Sequence, residues 1–249
     1  MTQAHRAVVL ITGGASGIGL ECARQAAESG ASIAVVDLNG VAADAAITQL
    51  AGGPHVAVEG NVADANSMQA AVDTIVRELG PPTAVVAAAG IVCRTPLKDV
   101  TTEEFRRVFS INVEGIQNTI AAAAPHLITA GPNAAIVALS SVAAYTGGGL
   151  MGSGVYAASK AAVVGMIRGY ARELAPWRVR ANAVAPAATE TPMTKTLTDD
   201  EKTRMAGASL IGRLSRPEEI AATVNFLLTP GAASITGQVL QPNGGVYFN

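Results

Sequence analysis

The chain has 249 residues, of which 49% are apolar, and its 17 basic and 19 acidic residues leave a formal net charge of −2. This composition predicts one extensive core and argues against a disordered protein, while the balanced charge argues against nucleic acid or an anionic membrane as the main partner. Neither cysteine, Cys22 or Cys93, has zinc-ligand or disulfide spacing, and the histidines are scattered, so we expect free thiols, no metal and a soluble cytoplasmic protein.

Short runs rich in valine, isoleucine and alanine predict seven strands, at Ala7–Thr12, Ser32–Asp37, His55–Glu59, Ala84–Ala88, Ala134–Ser140, Arg180–Val184 and Gln238–Gln241. Between them, helix-period patterns predict helices at about 17–29, 41–50, 67–79, 102–129, 154–174 and 217–228. Strands that are apolar on both faces and alternate with helices are typical of a parallel sheet covered on both sides. The sequence therefore predicts an α/β fold with a single doubly wound, Rossmann-like parallel sheet.

One stretch near 186–216 is polar, marked by prolines and predicted to be irregular. Because no linker or repeat divides the chain, we expect residues 1–249 to form a single domain. Within it, a segment of about 187–216 is expected to form a small lid over a site.

The first predicted strand runs directly into a glycine-rich turn, Thr12-Gly13-Gly14-Ala15-Ser16-Gly17-Ile18-Gly19, and then into a helix. Glycines let the backbone approach a ligand closely, and the free N–H groups of a helix N-terminus favour a pyrophosphate. A tight turn without a ligand would use the same residues. Asp37, at the end of the second strand, is placed to accept hydrogen bonds from an adenosine ribose, although it could instead cap the following turn. The two features together favour a dinucleotide site.

Tyr156 is the one tyrosine that has a lysine, Lys160, four residues later, which on a helix places both side chains on one face. Lowering a tyrosine pKa by two or three units needs about 3–4 kcal/mol. An ammonium at about 4 Å supplies roughly 4 kcal/mol at an effective dielectric constant near 20. The pair therefore has the chemistry of a tyrosine acid/base near neutral pH, although an exposed Tyr–Lys pair has the same spacing.

Ordered motifs along the whole chain resemble those of the short-chain dehydrogenase/reductase family. The matching pieces are Thr12–Gly19, Ala89-Gly90, Ser110-Ile111-Asn112-Val113, Ser140-Ser141, Tyr156-x-x-x-Lys160, Asn182-Ala183-Val184-Ala185-Pro186, Thr191-Pro192-Met193, Arg216-Pro217-Glu218-Glu219-Ile220-Ala221 and Gly244-Gly245. The resemblance implies a nicotinamide-dependent oxidoreductase that interconverts a secondary alcohol and a ketone.

The resemblance also implies a role for each matching residue. Tyr156 is the expected general acid/base, and Ser141, rather than Ser140, is expected to hold the substrate oxygen. Lys160 is expected to bind the nicotinamide ribose and to lower the Tyr156 pKa, and Asn112 to anchor a water that relays protons. The expected cofactor-binding residues are Gly13, Ser16, Gly17, Ile18, Gly19, Asp37, Leu38, Asn61, Val62, Ala89, Gly90, Tyr156, Lys160, Pro186, Thr189, Thr191 and Met193. Those expected to bind substrate are Ser141, Val92, Cys93, Tyr145, Leu150, Met151, Tyr156 and Met193.

The expected cofactor is NAD, because Asp37 repels a 2′-phosphate and Ser16 offers no positive charge. The sequence departs from the family pattern in several places. Ala87-Ala88-Ala89-Gly90 replaces the usual Asn-Asn-Ala-Gly, and Asn61 replaces an aspartate near the adenine. The 15 residues from Ser141 to Tyr156 are about two more than usual.

The segments expected to line the substrate pocket are mainly apolar and predict a small-molecule alcohol or ketone with an aryl, cyclic or aliphatic body. In this interpretation Lys195, Lys202 and Arg204, in the lid, face water. The alternatives are a 3-oxoacyl thioester reductase of the acyl-carrier type working with NADPH, and a catalytically silent NAD-binding sensor or scaffold. A serine hydrolase is excluded because Ser153 lacks the G-x-S-x-G frame.

The resemblance further implies a homotetramer assembled through the long helices near 102–129 and 154–174. Small side chains on the second helix, Ala157, Ala158, Ala161 and Ala162, allow close helix approach.

Overall fold

Seven parallel strands form one sheet in the order β3-β2-β1-β4-β5-β6-β7. The computed structural model describes residues 7–149 and 151–248. The strands are β1 Val8–Thr12, β2 Ser32–Asp37, β3 His55–Glu59, β4 Ala84–Ala87, β5 Ala135–Leu139, β6 Arg180–Val184 and β7 Val239–Leu240. The predicted doubly wound sheet is confirmed, with strand bounds that differ by at most one residue at either end.

Helices cover both faces of the sheet: α1 Gly17–Glu28, α2 Gly40–Ile47, α3 Ala65–Leu79, α4 Thr102–Phe109, α5 Gly115–Ala130, α6 Ala143–Thr146, α7 Gly154–Glu173, α8 Asp199–Ala208 and α9 Pro217–Leu228. Alternate residues of each strand enter opposite cores. Leu10 of β1 packs in one core with α3, α5 and α7, whereas Ile11 packs in the other with α1, α2 and α9. This two-sided burial explains why the strands are apolar on both faces.

The strand order reverses between β1 and β4, because β2 and β3 extend the sheet on one side and β5 to β7 on the other. In open α/β sheets, ligands bind outside the carboxyl ends of the strands at such a point. The glycine loop follows β1 there, so the topology places the predicted site in one crevice.

The helix predicted at 102–129 is interrupted by a π-helical turn at Ser110–Glu114, which separates α4 from α5. The prediction of a helix here is confirmed in extent, because the chain stays helical from Thr102 to Ala130, and the π turn is a local irregularity within it. Such turns are frequent at functional sites, and this one carries Asn112.

The stretch predicted to be irregular near 186–216 contains a 3₁₀ turn at Pro192–Thr194 and the helix α8. The N-terminus of α8 has a capping box, in which the Thr198 hydroxyl accepts a hydrogen bond from the Glu201 N–H and the Glu201 carboxylate accepts one from the Thr198 N–H. The expectation of an irregular segment was therefore wrong. It rested on overall polarity and overlooked this local signal.

Across residues 7–149 and 151–248, the helices are too short or too polar to cross a bilayer, and the acidic, histidine and cysteine side chains form no group of three that could hold a metal ion.

Candidate active site

A cavity of about 700 Å³ opens at the carboxyl ends of the central strands. Its wall includes every residue predicted to bind the cofactor, from the glycine loop through Asp37 and Asn61 to the loop that follows β6. The crevice predicted from the strand order and the cavity observed in the structure are therefore the same place.

The glycine loop packs tightly against its own turn and against the loop after β4, next to the N-terminus of α1. A side chain at Gly13 would lie 2.7 Å from the Ala89 Cα atom, and one at Gly19 would lie 2.2 Å from the Gly13 carbonyl oxygen. Ser16, the N-cap residue, makes no side-chain capping bond, and the first turn of α1 carries no acidic residue. The first N–H groups and the positive end of the helix dipole thus suit a pyrophosphate.

Asp37 lies at the end of β2 and lines the same cavity. One carboxylate oxygen accepts a hydrogen bond from the Ala15 N–H at 3.2 Å, and the other accepts one from the Asn39 N–H, also at 3.2 Å. Asp37 therefore braces the glycine loop and the following turn, and it places a negative charge where a ribose is expected.

Tyr156, Ser141 and Lys160 meet on the cavity wall. Tyr156 is 8% exposed, and burial raises the pKa of its phenol, whereas a hydrogen bond with the Ser141 side chain lowers it by less. Lys160 Nζ donates a hydrogen bond to the Leu139 carbonyl at 2.9 Å and lies 5.9 Å from the centre of the Tyr156 ring. Burial lowers the pKa of Lys160 to about 8.

The expectation that Lys160 lowers the Tyr156 pKa is not met in the protein by itself. Loss of hydration disfavours both the phenolate and the ammonium, so the pKa of Tyr156 rises while that of Lys160 falls to about 8. A Tyr156 phenolate near neutral pH therefore needs further positive charge, which an oxidised nicotinamide would add.

The two neighbouring serines have different partners. Ser140 donates a hydrogen bond to the Lys160 carbonyl at 2.8 Å, which ties β5 to α7. Ser141 is hydrogen-bonded to Tyr156 and, like Ser140, lines the cavity. The geometry thus leaves Ser141 as the serine that faces a substrate.

Asn112 is fully buried behind the cavity wall. Its side-chain oxygen accepts a hydrogen bond from the Ile91 N–H at 2.8 Å, and its amide donates to the Ile91 carbonyl at 2.9 Å and to Ser159 at 3.0 Å. The Asn112 side chain therefore joins the π turn to the loop after β4 and to α7. Its role as a water anchor stays a prediction.

Comparison with known proteins identifies the family. A family model described as "Enoyl-(Acyl carrier protein) reductase" matches residues 13–247. The acetoacetyl-CoA reductase of Synechocystis sp. is 37% identical over 238 residues, which cover 95% of each chain. The crystal structure of a short-chain dehydrogenase/reductase from Brucella melitensis, described as a glucose/ribitol dehydrogenase, superposes with a TM-score of 0.91 at 33% identity and covers 98% of both chains. This chain belongs to the short-chain dehydrogenase/reductase family.

Two further members of this family bear on substrate and cofactor. The cis-4-hydroxycyclohexanecarboxylate dehydrogenase of Sinomonas cyclohexanicum is 36% identical over 240 residues, which cover 96% of this chain and 95% of that one. A 3-ketoacyl-(acyl-carrier-protein) reductase from B. melitensis, solved with NADH, superposes with a TM-score of 0.90 at 30% identity and covers 97% and 98% of the two chains. As a short-chain dehydrogenase/reductase, the chain is an oxidoreductase that acts on CH–OH and keto groups.

Only some of the residues predicted to bind substrate line the cavity of this short-chain dehydrogenase/reductase. Those on its wall are Ser141, Met151, Tyr156 and Met193. Leu150 lies outside the described residues.

Val92 and Cys93 do not lie on the cavity wall, although they follow β4 toward it. Cys93 is 2% exposed and packs behind Tyr156, with Val92 against the same cluster. The Cys93 thiol accepts a hydrogen bond from Ser153 at 3.3 Å and donates one to Glu104 at 3.5 Å. Because these contacts turn the side chain inward, the prediction that Cys93 lines the pocket is wrong.

Tyr145 also lies off the cavity wall. Its ring stacks on that of Tyr247 with 5.4 Å between the centres, and Val246, next to Tyr247, lines the cavity. The chain near Val246 is held by the Leu210 N–H, which donates a hydrogen bond to the Gly244 carbonyl at 2.8 Å. The C-terminal segment thus joins the end of α8 to the segment that follows β5. These residues are far apart in the sequence, and no local motif predicts that they are in contact.

The Tyr156 ring packs directly against the Gly152 backbone, at a position where any side chain would overlap it. A side chain at Gly152 would lie 2.3 Å from the ring, whereas one at Gly154 would meet nothing within 4 Å. We expect Gly152→Ala to lower kcat by roughly 10- to 100-fold, because displacing an acid/base by about 1 Å has an effect of this size. Steady-state kinetics with Gly154→Ala as the matched control tests this, and equal rates for the two variants would contradict it.

Proposed function

We propose that this protein is an NAD(H)-dependent oxidoreductase that interconverts 3-hydroxyacyl and 3-oxoacyl thioesters. The observation that carries the proposal is the Ser141–Tyr156 contact on the wall of a large open cavity, in a chain that is similar to an acetoacetyl-CoA reductase over 95% of its length. Sequence analysis gave this activity as an alternative to a free aryl, cyclic or aliphatic alcohol dehydrogenase. The relatives support the thioester substrate better.

Neither Ser16 nor the Leu38-Asn39 stretch provides the basic side chain expected of an NADPH-dependent thioester reductase. The absence of such a side chain bears on the choice between NAD and NADP, and it does not exclude an acyl thioester as the substrate. The similar 3-ketoacyl-(acyl-carrier-protein) reductase solved with NADH supports the combination of an NAD-type site with a thioester substrate.

The residues present suit this chemistry. NAD(H), when bound, supplies the hydride that is exchanged with the carbonyl carbon. Ser141 donates a hydrogen bond to the substrate oxygen, and Tyr156 gives its phenolic proton to that oxygen during reduction and takes it back during oxidation. Lys160, buried beside the pair, binds the ribose hydroxyls, and the phenolate form of Tyr156 is favoured once the positive charge of the oxidised nicotinamide joins that of Lys160.

A substrate panel tests the proposed activity. The oxidation of NADH is followed with acetoacetyl-CoA, the acetoacetyl thioester of an acyl carrier protein, 4-oxocyclohexanecarboxylate and an uncharged aryl ketone. The proposal expects the highest kcat/KM with one of the thioesters. A higher value with the aryl ketone than with either thioester would contradict it.

The second candidate is a cyclic hydroxy acid dehydrogenase. Its support is the similarity to the cis-4-hydroxycyclohexanecarboxylate dehydrogenase and the apolar side chains of Met151, Met193 and Met205 on the cavity wall. Clear preference for 4-oxocyclohexanecarboxylate in the same panel would select this candidate.

The charge of Asp37 carries the proposed preference for NAD. We expect kcat/KM with NAD to exceed that with NADP by at least about tenfold, because the carboxylate repels a 2′-phosphate. Asp37→Asn should reduce this ratio, since the amide removes the charge but keeps one oxygen acceptor for the backbone. The measurement is kcat/KM with each cofactor, and equal efficiency of the native protein with both would overturn the assignment.

We also propose a homotetramer. Ala158 and Ala161 are exposed on α7, whereas Ala157 packs inside its own chain and is not available to a neighbour. On α4, Phe105 is 43% exposed and stacks on Phe109. Light scattering at micromolar concentration is expected to give four times the chain mass, and a monomer would refute this assembly.

A further inference from the structure

The charged side chains on the cavity wall are few. Among the described residues that line it, they are Asp37 at the dinucleotide end, the buried Lys160 and Arg204 of α8. Arg204 is exposed, and its neighbours on the wall, Met205 and Ala208, are apolar. Arg204 is therefore exposed, as expected, and it also lines the cavity.

Arg204 has no carboxylate within 4.0 Å in the part of the chain that the structure describes. The acid one turn earlier on the same helix, Glu201, is occupied elsewhere. It pairs with Arg94 from the loop after β4, and it accepts a hydrogen bond from the Thr198 N–H at 2.9 Å. Arg204 thus lines the cavity while one of the two acids a turn earlier on the helix, Asp200 and Glu201, is held by another cation.

We propose that Arg204 binds an anionic group that the substrate carries away from its reacting carbonyl. A guanidinium binds phosphate or carboxylate through charge-assisted, often bidentate, hydrogen bonds. The phosphates of a coenzyme A thioester and the carboxylate of a cyclic oxo acid share this chemistry. This inference adds a binding residue to the proposed function. Where the anionic group belongs to a coenzyme A thioester, the inference rests on that proposed function.

The test compares anionic substrates with neutral counterparts in the NADH-loaded enzyme. Acetoacetyl-CoA is paired with the acetoacetyl thioester of N-acetylcysteamine, and 4-oxocyclohexanecarboxylate with its methyl ester. Arg204→Ala should lower the ratio of kcat/KM for the anionic substrate to kcat/KM for its neutral counterpart at least about tenfold, chiefly through KM. This loss is expected for the substrate pair whose anionic group is the one that the natural substrate carries. Arg204→Lys should retain part of the ratio.

Lys202→Ala is the matched control, because Lys202 lies on the same helix, pairs with Asp199 and does not line this cavity. It should leave the ratio unchanged. Added salt should raise KM for the anionic substrate of the native enzyme more than for the Arg204→Ala variant. An unchanged ratio in Arg204→Ala, or an equal loss in Lys202→Ala, overturns the proposal.

The Arg94–Glu201 pair gives a second, independent test. In Arg94→Gln, Glu201 is released to pair with Arg204 one turn away, so KM for the anionic substrate should rise. The double variant Arg94→Gln/Glu201→Gln keeps a capping side chain at position 201 but removes the competing charge, and it should recover the native KM. Failure of the double variant to recover would overturn this account of how Arg204 is kept free.

A wrong assignment of the thioester activity gives a different result from a wrong assignment of Arg204. If the native enzyme reduces neither thioester, the thioester activity is wrong. The carboxylate–ester pair, together with calorimetric binding of coenzyme A to the NADH-loaded native and Arg204→Ala proteins, still reports on Arg204. Equal binding of coenzyme A to the two proteins and equal ratios for the acid and its ester would together refute the anion site.

Discussion

Tyr156→Phe is expected to lower kcat by roughly 10²- to 10⁴-fold, which is the range that a positioned acid/base contributes. The variant keeps the ring, which packs with Cys93, Val108 and Ala157, and removes only the hydroxyl that bonds to Ser141. NADH should still bind with near-normal affinity. Single-turnover kinetics and calorimetry measure the two quantities separately.

Tyr170→Phe is the matched control, because Tyr170 lies on the same helix and its hydroxyl bonds to Gln117 away from the cavity. This variant should retain native turnover. Near-normal turnover in Tyr156→Phe would mean that another residue transfers the proton.

Lys160→Met is expected to lower kcat at least about 100-fold and to weaken NADH binding, since Lys160 is assigned to both the Tyr156 phenol and the ribose. Methionine fills a similar volume without the charge. Unlike Tyr156→Phe, the variant should show both defects together, and a loss of kcat with normal NADH affinity would contradict the ribose assignment.

The same variant should change how stability depends on pH. Burial lowers the Lys160 pKa from 10.5 to about 8, so between these values the unfolded chain binds more protons than the folded one. The free energy of unfolding of the native protein should therefore rise across this range relative to that of Lys160→Met, by roughly 3 kcal/mol at 1.36 kcal/mol per pKa unit. Urea unfolding of both proteins at each end of the range measures the difference, and parallel pH profiles would contradict it.

The parts of the site that could be predicted from the sequence belong either to the glycine turn after the first strand or to a motif of the family. Gly13 and Gly19 could be placed because their chemistry is local, and Ser141, Tyr156 and Lys160 because they stand in recognisable spacing. The strands could be placed because burial on both faces leaves continuous apolar runs, as at β1 and β4.

The wrong predictions of substrate-binding residues share a physical cause, which is that long-range contacts decide where these side chains lie. Cys93 follows β4 toward the cavity, yet its bonds to Ser153 and Glu104 turn it into the protein. Val246 lies about 90 residues from Tyr156 in the chain and reaches the cavity through the backbone bond between Leu210 and Gly244.

The position of Val246 on the cavity wall has a practical consequence for where the protein can be tagged. A purification tag or fusion partner added after Asn249 would start four residues beyond Val246 and three beyond Tyr247, whose ring stacks on that of Tyr145. Attachment at the other terminus would instead precede β1, whose first residue lies at the end of the sheet opposite the crevice. Affinity handles, immobilisation chemistry and fluorescent reporters therefore belong at the N-terminus, and substrate profiles measured with C-terminal tags need comparison with the untagged protein.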